Sequence, residues 1–236
     1  PEEIIRFGLE IVDFLLGHTV KAVIAACNTS SSVSISCLQE KSPVPVFGMI
    51  EPGVKAALRK TRNKRIGVLA TKATVKSGAY ERTFRLSDPD VQVFSQPCPL
   101  FVPLVENGSI DRRETYQIAR SYLKPLQEAG VDTLVFGCTH YPFLAPVIRH
   151  IMGETIQLVD PATEVVMKLT DILKPDGHAG KRPQSLFFAS GPVTSFYTAG
   201  REFLGSFPFT VEQVSLNSQG TAIDKRESTN RGTIST

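Results

Sequence analysis

Two short apolar runs that each end abruptly in a cysteine constrain the fold of this chain most. The first run, residues 22–26, stops at Cys27, and the second, residues 133–137, stops at Cys138. Each run has the length and composition of a buried strand, and small hydroxyl or amide residues follow before a helix-like pattern resumes. In an open α/β sheet this is the carboxyl end of a strand, where ligands bind. We therefore expect the two cysteines to occupy the same place in two copies of one unit and to face one substrate.

Strand-like and helix-like patterns alternate along most of the chain, which predicts an α/β fold with mainly parallel sheets flanked by helices. The duplicated cysteine context predicts two pseudo-symmetric lobes, residues 1–50 plus 161–214 and residues 51–160, with a disordered tail at residues 215–236. Helices are predicted at residues 2–16, 30–40, 52–60, 74–86, 111–129, 143–152, 161–173 and 193–204. Strands are predicted at residues 21–26, 44–49, 65–71, 91–95, 133–136, 156–159, 185–189 and 209–214.

The composition limits the classes of function. The apolar share of 42% is ordinary for a globular protein, and a net charge of +3 is too small to indicate nucleic-acid binding. No apolar run approaches the roughly 18 residues of a membrane span. The four cysteines form no CxxC pair and have no histidine partners at zinc-finger spacing, so neither a metal site nor a disulfide scaffold is expected. We therefore expect a cytoplasmic protein with free thiols.

The cysteine pair leaves several kinds of chemistry open. A redox disulfide between Cys27 and Cys138 is conceivable, although redox thiols usually come as CxxC. A cysteine–histidine hydrolase would use Cys138 with His140 and leave Cys27 without a role. Two opposed thiols suit another task, the removal of a proton from one face of a carbon and the return of a proton to the other face. Because a thiol pKa of about 8.5 lies near neutrality, one sulfur can be thiolate while the other stays protonated. A helix start after each cysteine is expected to favour the thiolate.

The motifs around both cysteines resemble the paired signatures of the glutamate racemases, in the aspartate/glutamate racemase superfamily. They read Ala-Cys-Asn-Thr-Ser at residues 26–30 and Gly-Cys-Thr-His-Tyr-Pro at residues 137–142. The resemblance implies cofactor-independent interconversion of L- and D-glutamate, a supply of D-glutamate for peptidoglycan, and an active site in the cleft between two α/β lobes. The implied partner is this small-molecule substrate, with a homodimer as a further option, and no nucleic acid or membrane. Further matches lie at residues 67–71, 74–80, 97–106 and 160–162, within a resemblance that covers roughly residues 1 to 214.

The resemblance also implies roles for individual residues. Cys27 and Cys138 would be the two acid/bases, with His140 assisting Cys138 and Glu106 as a partner of that histidine. Small donors and backbone N–H groups at helix starts would hold the substrate's carboxylate and ammonium groups. Plainer readings stay open, since hydroxyl and amide residues also serve as helix caps and Glu106 also reads as a loop carboxylate. The implied substrate-binding residues are Asn28, Thr29, Thr71, Thr74, Thr139 and His140.

One part of the family's pattern is not found. The family assists its first cysteine with an aspartate in an N-terminal Asp-Ser-Gly-Val-Gly-Gly type loop, which this sequence does not contain. We therefore expect the family's first strand and first helix to be missing from it. Two alternatives stay open beside glutamate racemisation. One is another superfamily enzyme, an aspartate racemase, a hydantoin racemase or a maleate isomerase, and the other is a catalytically inactive chain that acts by binding.

Overall fold

The computed structural model of the protein describes residues 1–173 and 185–216. Helices and strands alternate through both ranges, as the hydrophobic patterns predict, and residues 217–236 of the predicted tail lie outside the described residues. The α-helices are α1 (Glu2–Leu16), α2 (Asn28–Lys41), α3 (Ile50–Lys60), α4 (Lys72–Ser77), α5 (Ala79–Ser87), α6 (Phe101–Glu106), α7 (Arg113–Glu128), α8 (Ala145–Met152), α9 (Pro161–Ile172) and α10 (Val193–Leu204). The strands are β1 (Val23–Ile24), β2 (Val46–Phe47), β3 (Arg65–Ala70), β4 (Gln92–Pro97), β5 (Thr133–Gly137), β6 (Gln157–Val159), β7 (Phe187–Ala189) and β8 (Val211–Gln213).

A four-stranded parallel sheet in the order β4-β3-β5-β6 forms the centre of one lobe. Its register places Ala70, the last residue of β3, opposite both Pro97 of β4 and Gly137 of β5. These three strands therefore end at one edge of the sheet. Because ligands of parallel α/β sheets bind at the carboxyl ends of the strands, this edge, which carries Cys138, is where a site is expected.

Helices cover both faces of this sheet, because alternate side chains of each strand enter opposite cores. On β3, Ile66 and Val68 pack into a buried cluster with residues of α3 and α5. Leu69 and Leu134 belong to the other buried cluster, with residues of α6, α7 and α8. All four side chains are essentially inaccessible to solvent. The observed fold is thus the predicted α/β class with parallel sheets flanked by helices.

Two smaller parallel sheets lie outside this four-stranded sheet. β1 pairs with β2 in register Val23 to Val46, and both strands pack beneath α1 and α2 through Val12 and Leu38. β7 pairs with β8, and α10 connects the two. The proposed boundaries between the lobes, residues 1–50 plus 161–214 and residues 51–160, stay predictions. In the part of the chain that is described, the helices all lack the length and apolar content that crossing a membrane requires.

Several local features differ from the prediction. β1 has two residues where six were expected, and Gly78, in the left-handed conformation, divides the predicted helix at residues 74–86 into α4 and α5. The short α6 was not predicted, since Pro103 interrupts its pattern and only Phe101 and Val105 mark its buried face. Glu106, for which a loop position is one of the open readings, is the last residue of α6.

Gly137 has no room for a side chain, which yields a stability prediction. A Cβ there would lie 2.8 Å from the Cβ of Ala70 and 2.9 Å from the carbonyl oxygen of Leu69, and neither atom can retreat without moving β3. We expect Gly137→Ala to lower the free energy of unfolding by about 1–3 kcal/mol, as overpacked cores do. Chemical denaturation measures the loss.

The control for this substitution is Gly191→Ala, because nothing lies within 4 Å of a Cβ at that position. It should change the free energy of unfolding by no more than about 0.5 kcal/mol. Equal losses in the two variants would contradict the close approach of β3 and β5 at Gly137.

Candidate active site

Strand β5 delivers Cys138 to the carboxyl edge of the sheet. Its side chain is only 8% exposed, and its Sγ lies 3.8 Å from Nδ1 of His140. The other ring nitrogen of His140, Nε2, lies 3.1 Å from Oε1 of Glu106. Thr139 has its Oγ1 3.4 Å from the same Nδ1. The predicted contact between Glu106 and His140 is therefore present, and the three side chains form a line from a buried sulfur to an exposed carboxylate.

The environment of Cys138 favours its protonated form. Burial raises the pKa of its thiol above the ordinary value, and this desolvation outweighs the stabilising hydrogen bond from the backbone N–H of His140. Negative charge at Cys27 and Glu106 raises the pKa further, while the backbone N–H of Thr139 lowers it. The expectation that a following helix would favour the thiolate is therefore wrong here. The chain after Cys138 forms only a 3₁₀ turn, Tyr141–Leu144, before α8 begins.

Cys27 stands at the start of α2 in a more open environment. It is the N-cap residue of that helix, has extended backbone geometry, and is exposed. The loop that carries it is fixed by Ser31, whose Oγ donates to the carbonyl of Ala25 at 2.7 Å and accepts from the backbone N–H of Met49 at 3.2 Å. The structure thus places Cys27 just beyond β1 and next to the first turn of α2, as the sequence predicts.

Three threonine hydroxyls, one from α2 and two from the start of α4, meet beside the first turn of α2. Thr29 Oγ1 lies 2.9 Å from Thr71 Oγ1 and 3.0 Å from Thr74 Oγ1, and the last two are 3.0 Å apart. Thr71 is also the N-cap of α4, where its hydroxyl accepts the backbone N–H of Thr74. The capping and binding readings of these residues are therefore compatible. The geometry provides a cluster of small donors next to Cys27.

A buried tyrosine, which the sequence reasoning did not single out, joins the two cysteine motifs. The hydroxyl of Tyr80 donates to Oδ1 of Asn28 at 2.7 Å, and Asn28 follows Cys27 directly. The ring of Tyr80 lies beneath Gly137, the residue before Cys138. Tyr80 is the last residue of the family match at residues 74–80, but that match assigns no role to the tyrosine.

The four cysteines are free thiols. Within residues 1–173 and 185–216, no three His, Cys, Asp or Glu side chains gather in a way that could hold a metal ion. Asp160, which belonged to the resemblance, caps α9 by accepting the backbone N–H of Ala162 at 3.0 Å. Of the predicted site residues, Asn28, Thr29, Thr71 and Thr74 form one group and Glu106, Cys138, Thr139 and His140 a second, with Cys27 at the start of the helix that bears the first.

Comparison with known proteins identifies the family to which this arrangement belongs. A model of the Asp/Glu/hydantoin racemases matches residues 2–169, well over half of the 236-residue chain. The chain belongs to the Asp/Glu/hydantoin racemase family. Membership confirms the expected enzyme class, a racemase.

Several relatives that resemble the chain over most of its length are glutamate racemases. The glutamate racemase of Geobacter metallireducens is 42% identical over 224 residues, which cover 93% of this chain and 82% of that protein. The crystal structure of glutamate racemase isoform RacE1 from Bacillus anthracis superposes with a TM-score of 0.84 at 35% identity, covering 91% of this chain and 81% of that one. The glutamate racemase of Francisella tularensis, solved in complex with D-glutamate, gives a TM-score of 0.82 at 32% identity, with coverages of 92% and 82%.

The different environments of the two cysteines predict different alkylation rates. Iodoacetamide should modify Cys27 well before Cys138, since Cys27 is exposed while Cys138 is buried and burial raises its pKa. The thiolate is the reactive form, so the rate at Cys138 should still climb as pH rises above the ordinary thiol pKa of about 8.5. Peptide mass spectrometry between about pH 7 and about pH 10 measures both rates. The fully buried Cys98 serves as a slow reference, and equal rates for Cys27 and Cys138 at neutral pH would refute the prediction.

Proposed function

We propose that the chain interconverts L- and D-glutamate by proton transfer between the substrate and two thiols, Cys27 and Cys138. The observation that carries the proposal is the convergence of the two cysteine motifs. Charge at Cys27 acts on the pKa of Cys138, and Tyr80 contacts the residue next to each cysteine. The choice of glutamate is supported by the relatives, one of which was solved with D-glutamate bound.

In either direction the reaction consists of one proton removal and one proton delivery, and these two steps balance. A thiolate takes the proton from Cα, so that a C–H bond breaks, an S–H bond forms and the electron pair remains on the substrate. The opposite thiol then delivers its own proton to the other face of the planar carbon and becomes the thiolate. The product enantiomer leaves the two sulfurs with exchanged protonation, which is the state needed for the reverse direction. No further reactant takes part in this scheme.

Burial of Cys138 suits the role of the protonated partner. Because desolvation and the charges of Cys27 and Glu106 raise its pKa, it holds its proton while the other sulfur abstracts. When Cys138 acts as the base, His140 at 3.8 Å is the group able to offset its charge, and Glu106 keeps the imidazole oriented from 3.1 Å. The two side chains are chemically identical, so the difference in their protonation follows from their surroundings.

The polar groups beside the thiols supply binding for an amino acid's charged ends. Asn28 and Thr29 occupy the first turn of α2, where backbone N–H groups favour a carboxylate. Hydroxyls of Thr71 and Thr74 adjoin Thr29, and Thr139 lies beside His140 on the other side. The N–H and hydroxyl donors can hold carboxylates, and the threonine oxygens can accept hydrogen bonds from the ammonium group, which leaves Cα between the sulfurs.

The cellular role that follows is the supply of D-glutamate for peptidoglycan, without a cofactor, in the cytoplasm. Free thiols are maintained in a reducing compartment, which agrees with that location. A homodimer stays an expectation that size-exclusion chromatography with light scattering can test. Rescue of a D-glutamate-requiring bacterium by the wild-type chain, and not by Cys138→Ala, tests the cellular role.

The direct test follows the optical signal of each enantiomer. Purified protein should change the circular dichroism of L-glutamate and of D-glutamate towards the same racemic end point, with solvent deuterium appearing at Cα in D₂O. Aspartate in the same assay distinguishes glutamate racemisation from the aspartate-specific alternative. Faster turnover of aspartate than of glutamate would overturn the assignment of substrate, and absence of deuterium incorporation would overturn the mechanism.

A further inference from the structure

We propose that Tyr80 is a positioning residue that holds the two cysteine motifs at a fixed spacing and turns the amide of Asn28 so that its NH₂ group faces the substrate. This role rests on the proposed racemase function, because it concerns the orientation of an amide that would bind the substrate. Tyr80 itself is not among the predicted site residues. Tyr80 lies at the start of α5, in the opposite lobe from Asn28. Its action is indirect, since its side chain is 1% exposed.

The contacts of Tyr80 reach both motifs at once. Its hydroxyl donates to Oδ1 of Asn28 at 2.7 Å, in a hydrogen bond that is buried. A Cβ on Gly137 would lie 3.3 Å from Cε2 of the ring, so the ring packs directly against the backbone that precedes Cys138. A Cβ on Gly53 would lie 3.4 Å from the Tyr80 hydroxyl oxygen, so α3 also passes close to this side chain. One rigid side chain thus spans the distance from the first motif to the second.

The direction of the hydrogen bond decides which end of the Asn28 amide is free. Burial raises the pKa of Tyr80, as do the negative charges of Asp160 and Cys138, so the phenol keeps its proton and acts as the donor. The amide oxygen of Asn28 is the acceptor, so it is turned towards Tyr80 and the NH₂ group of the amide points away from the tyrosine. What remains for a ligand is the NH₂ group, which can only donate. Asn28 therefore presents donors to a carboxylate and not an acceptor to an ammonium group.

A double-mutant cycle tests whether Tyr80 acts through Asn28. The four proteins are wild type, Tyr80→Phe, Asn28→Ala and the double variant, assayed for racemisation of glutamate. Tyr80→Phe alone should lower kcat/KM by about tenfold, mainly through KM, because the amide loses its fixed orientation and a buried acceptor is left unpaired. In the Asn28→Ala background the same substitution should change kcat/KM by less than about twofold. Additive effects would overturn the proposal, because a merely structural tyrosine gives the same loss in either background.

Tyr141→Phe is the matched control for the loss of a buried hydroxyl. Tyr141 is fully buried, and its hydroxyl donates at 2.9 Å to the backbone carbonyl of Cys98, on the other face of the sheet. It should lose about as much thermal stability as Tyr80→Phe while kcat/KM stays within about twofold of wild type. If Tyr80→Phe lost no more activity than Tyr141→Phe, the positioning role would be refuted.

A measurement without substrate separates this inference from the proposed function. Wild-type turnover of glutamate tests the function alone. The same cycle, measured as free energy of unfolding in denaturant, tests the coupling of Tyr80 to Asn28 whichever substrate the enzyme uses. If the unfolding free energies show coupling between Tyr80 and Asn28 but the wild type does not racemise glutamate, the proposed function is overturned. The contact on which the inference depends would still be supported. Additive unfolding effects would overturn the inference even if wild type racemises glutamate.

Discussion

Replacing Cys27 or Cys138 with alanine is expected to lower kcat/KM for racemisation by at least about 10³-fold, the upper range for loss of a general acid or base. In the proposed mechanism each sulfur serves as base in one direction and as acid in the other, so neither direction should survive the loss of one thiol. Circular dichroism on each enantiomer measures the effect. Retention of a tenth or more of wild-type activity in either variant would refute the two-thiol mechanism.

Hydrogen exchange separates the two variants from each other. The remaining thiol can still take and return a proton on its own face of Cα, so each variant should exchange the Cα hydrogen of one enantiomer with D₂O without inverting it. Cys27→Ala and Cys138→Ala should show this exchange for opposite enantiomers, which proton NMR detects. Cys37→Ala is the control, since Cys37 is partly buried within α2, and its rates should match wild type. Exchange of the same enantiomer in both variants would mean that the sulfurs do not face opposite sides of Cα.

Much of the fold could be predicted because its strands and helices carry strong local patterns. α1 and α10 begin and end at the predicted residues, and β5 ends one residue beyond its predicted end. Their apolar spacing determines which face is buried, and no distant contact has to be known. β1 was predicted at three times its observed length, because apolar composition indicates burial but does not show whether a neighbouring strand pairs along the whole run. α6 was missed since six residues with a central proline give too little periodicity.

Contacts in the site between residues that are close in sequence could be predicted. Contacts that depend on the tertiary fold could be predicted less well. Cys138 and His140 are two positions apart, so their contact follows from the motif. The contact of Glu106 with His140 came from family resemblance, since nothing in the sequence fixes the position of α6 relative to β5. The sequence does not indicate a role for Tyr80, because its hydrogen bond to Asn28 joins residues 52 positions apart. The raised pKa of Cys138 was also missed, because desolvation depends on packing that motifs do not encode.

Substituting His140 with glutamine is expected to lower kcat/KM by about 10²-fold, and Glu106→Gln by a smaller factor of about three to ten. His140 stands 3.8 Å from the sulfur of Cys138, whereas Glu106 contacts the imidazole and not the sulfur, and the side chain of Glu106 is 56% exposed to screening solvent. The value of kcat/KM must fall by the same factor in both directions. The ratio of the two values equals the equilibrium constant between the enantiomers, which is one in every variant. The His150→Gln variant is the control, since His150 lies on α8 with its ring against Tyr116, and it should keep wild-type rates.

Isotope effects reveal which sulfur the histidine serves, although kcat/KM cannot. If His140 assists Cys138 alone, its loss makes proton transfer at that sulfur the slow step in both directions. The Cα-deuterium effect should then rise for the enantiomer that Cys138 deprotonates, where that step breaks the Cα–H bond. For the other enantiomer the solvent isotope effect should rise instead, because there Cys138 delivers a proton exchanged from water. Equal changes of both isotope effects for both enantiomers would show that His140 does not act through Cys138, and its 3.8 Å contact would then be structural.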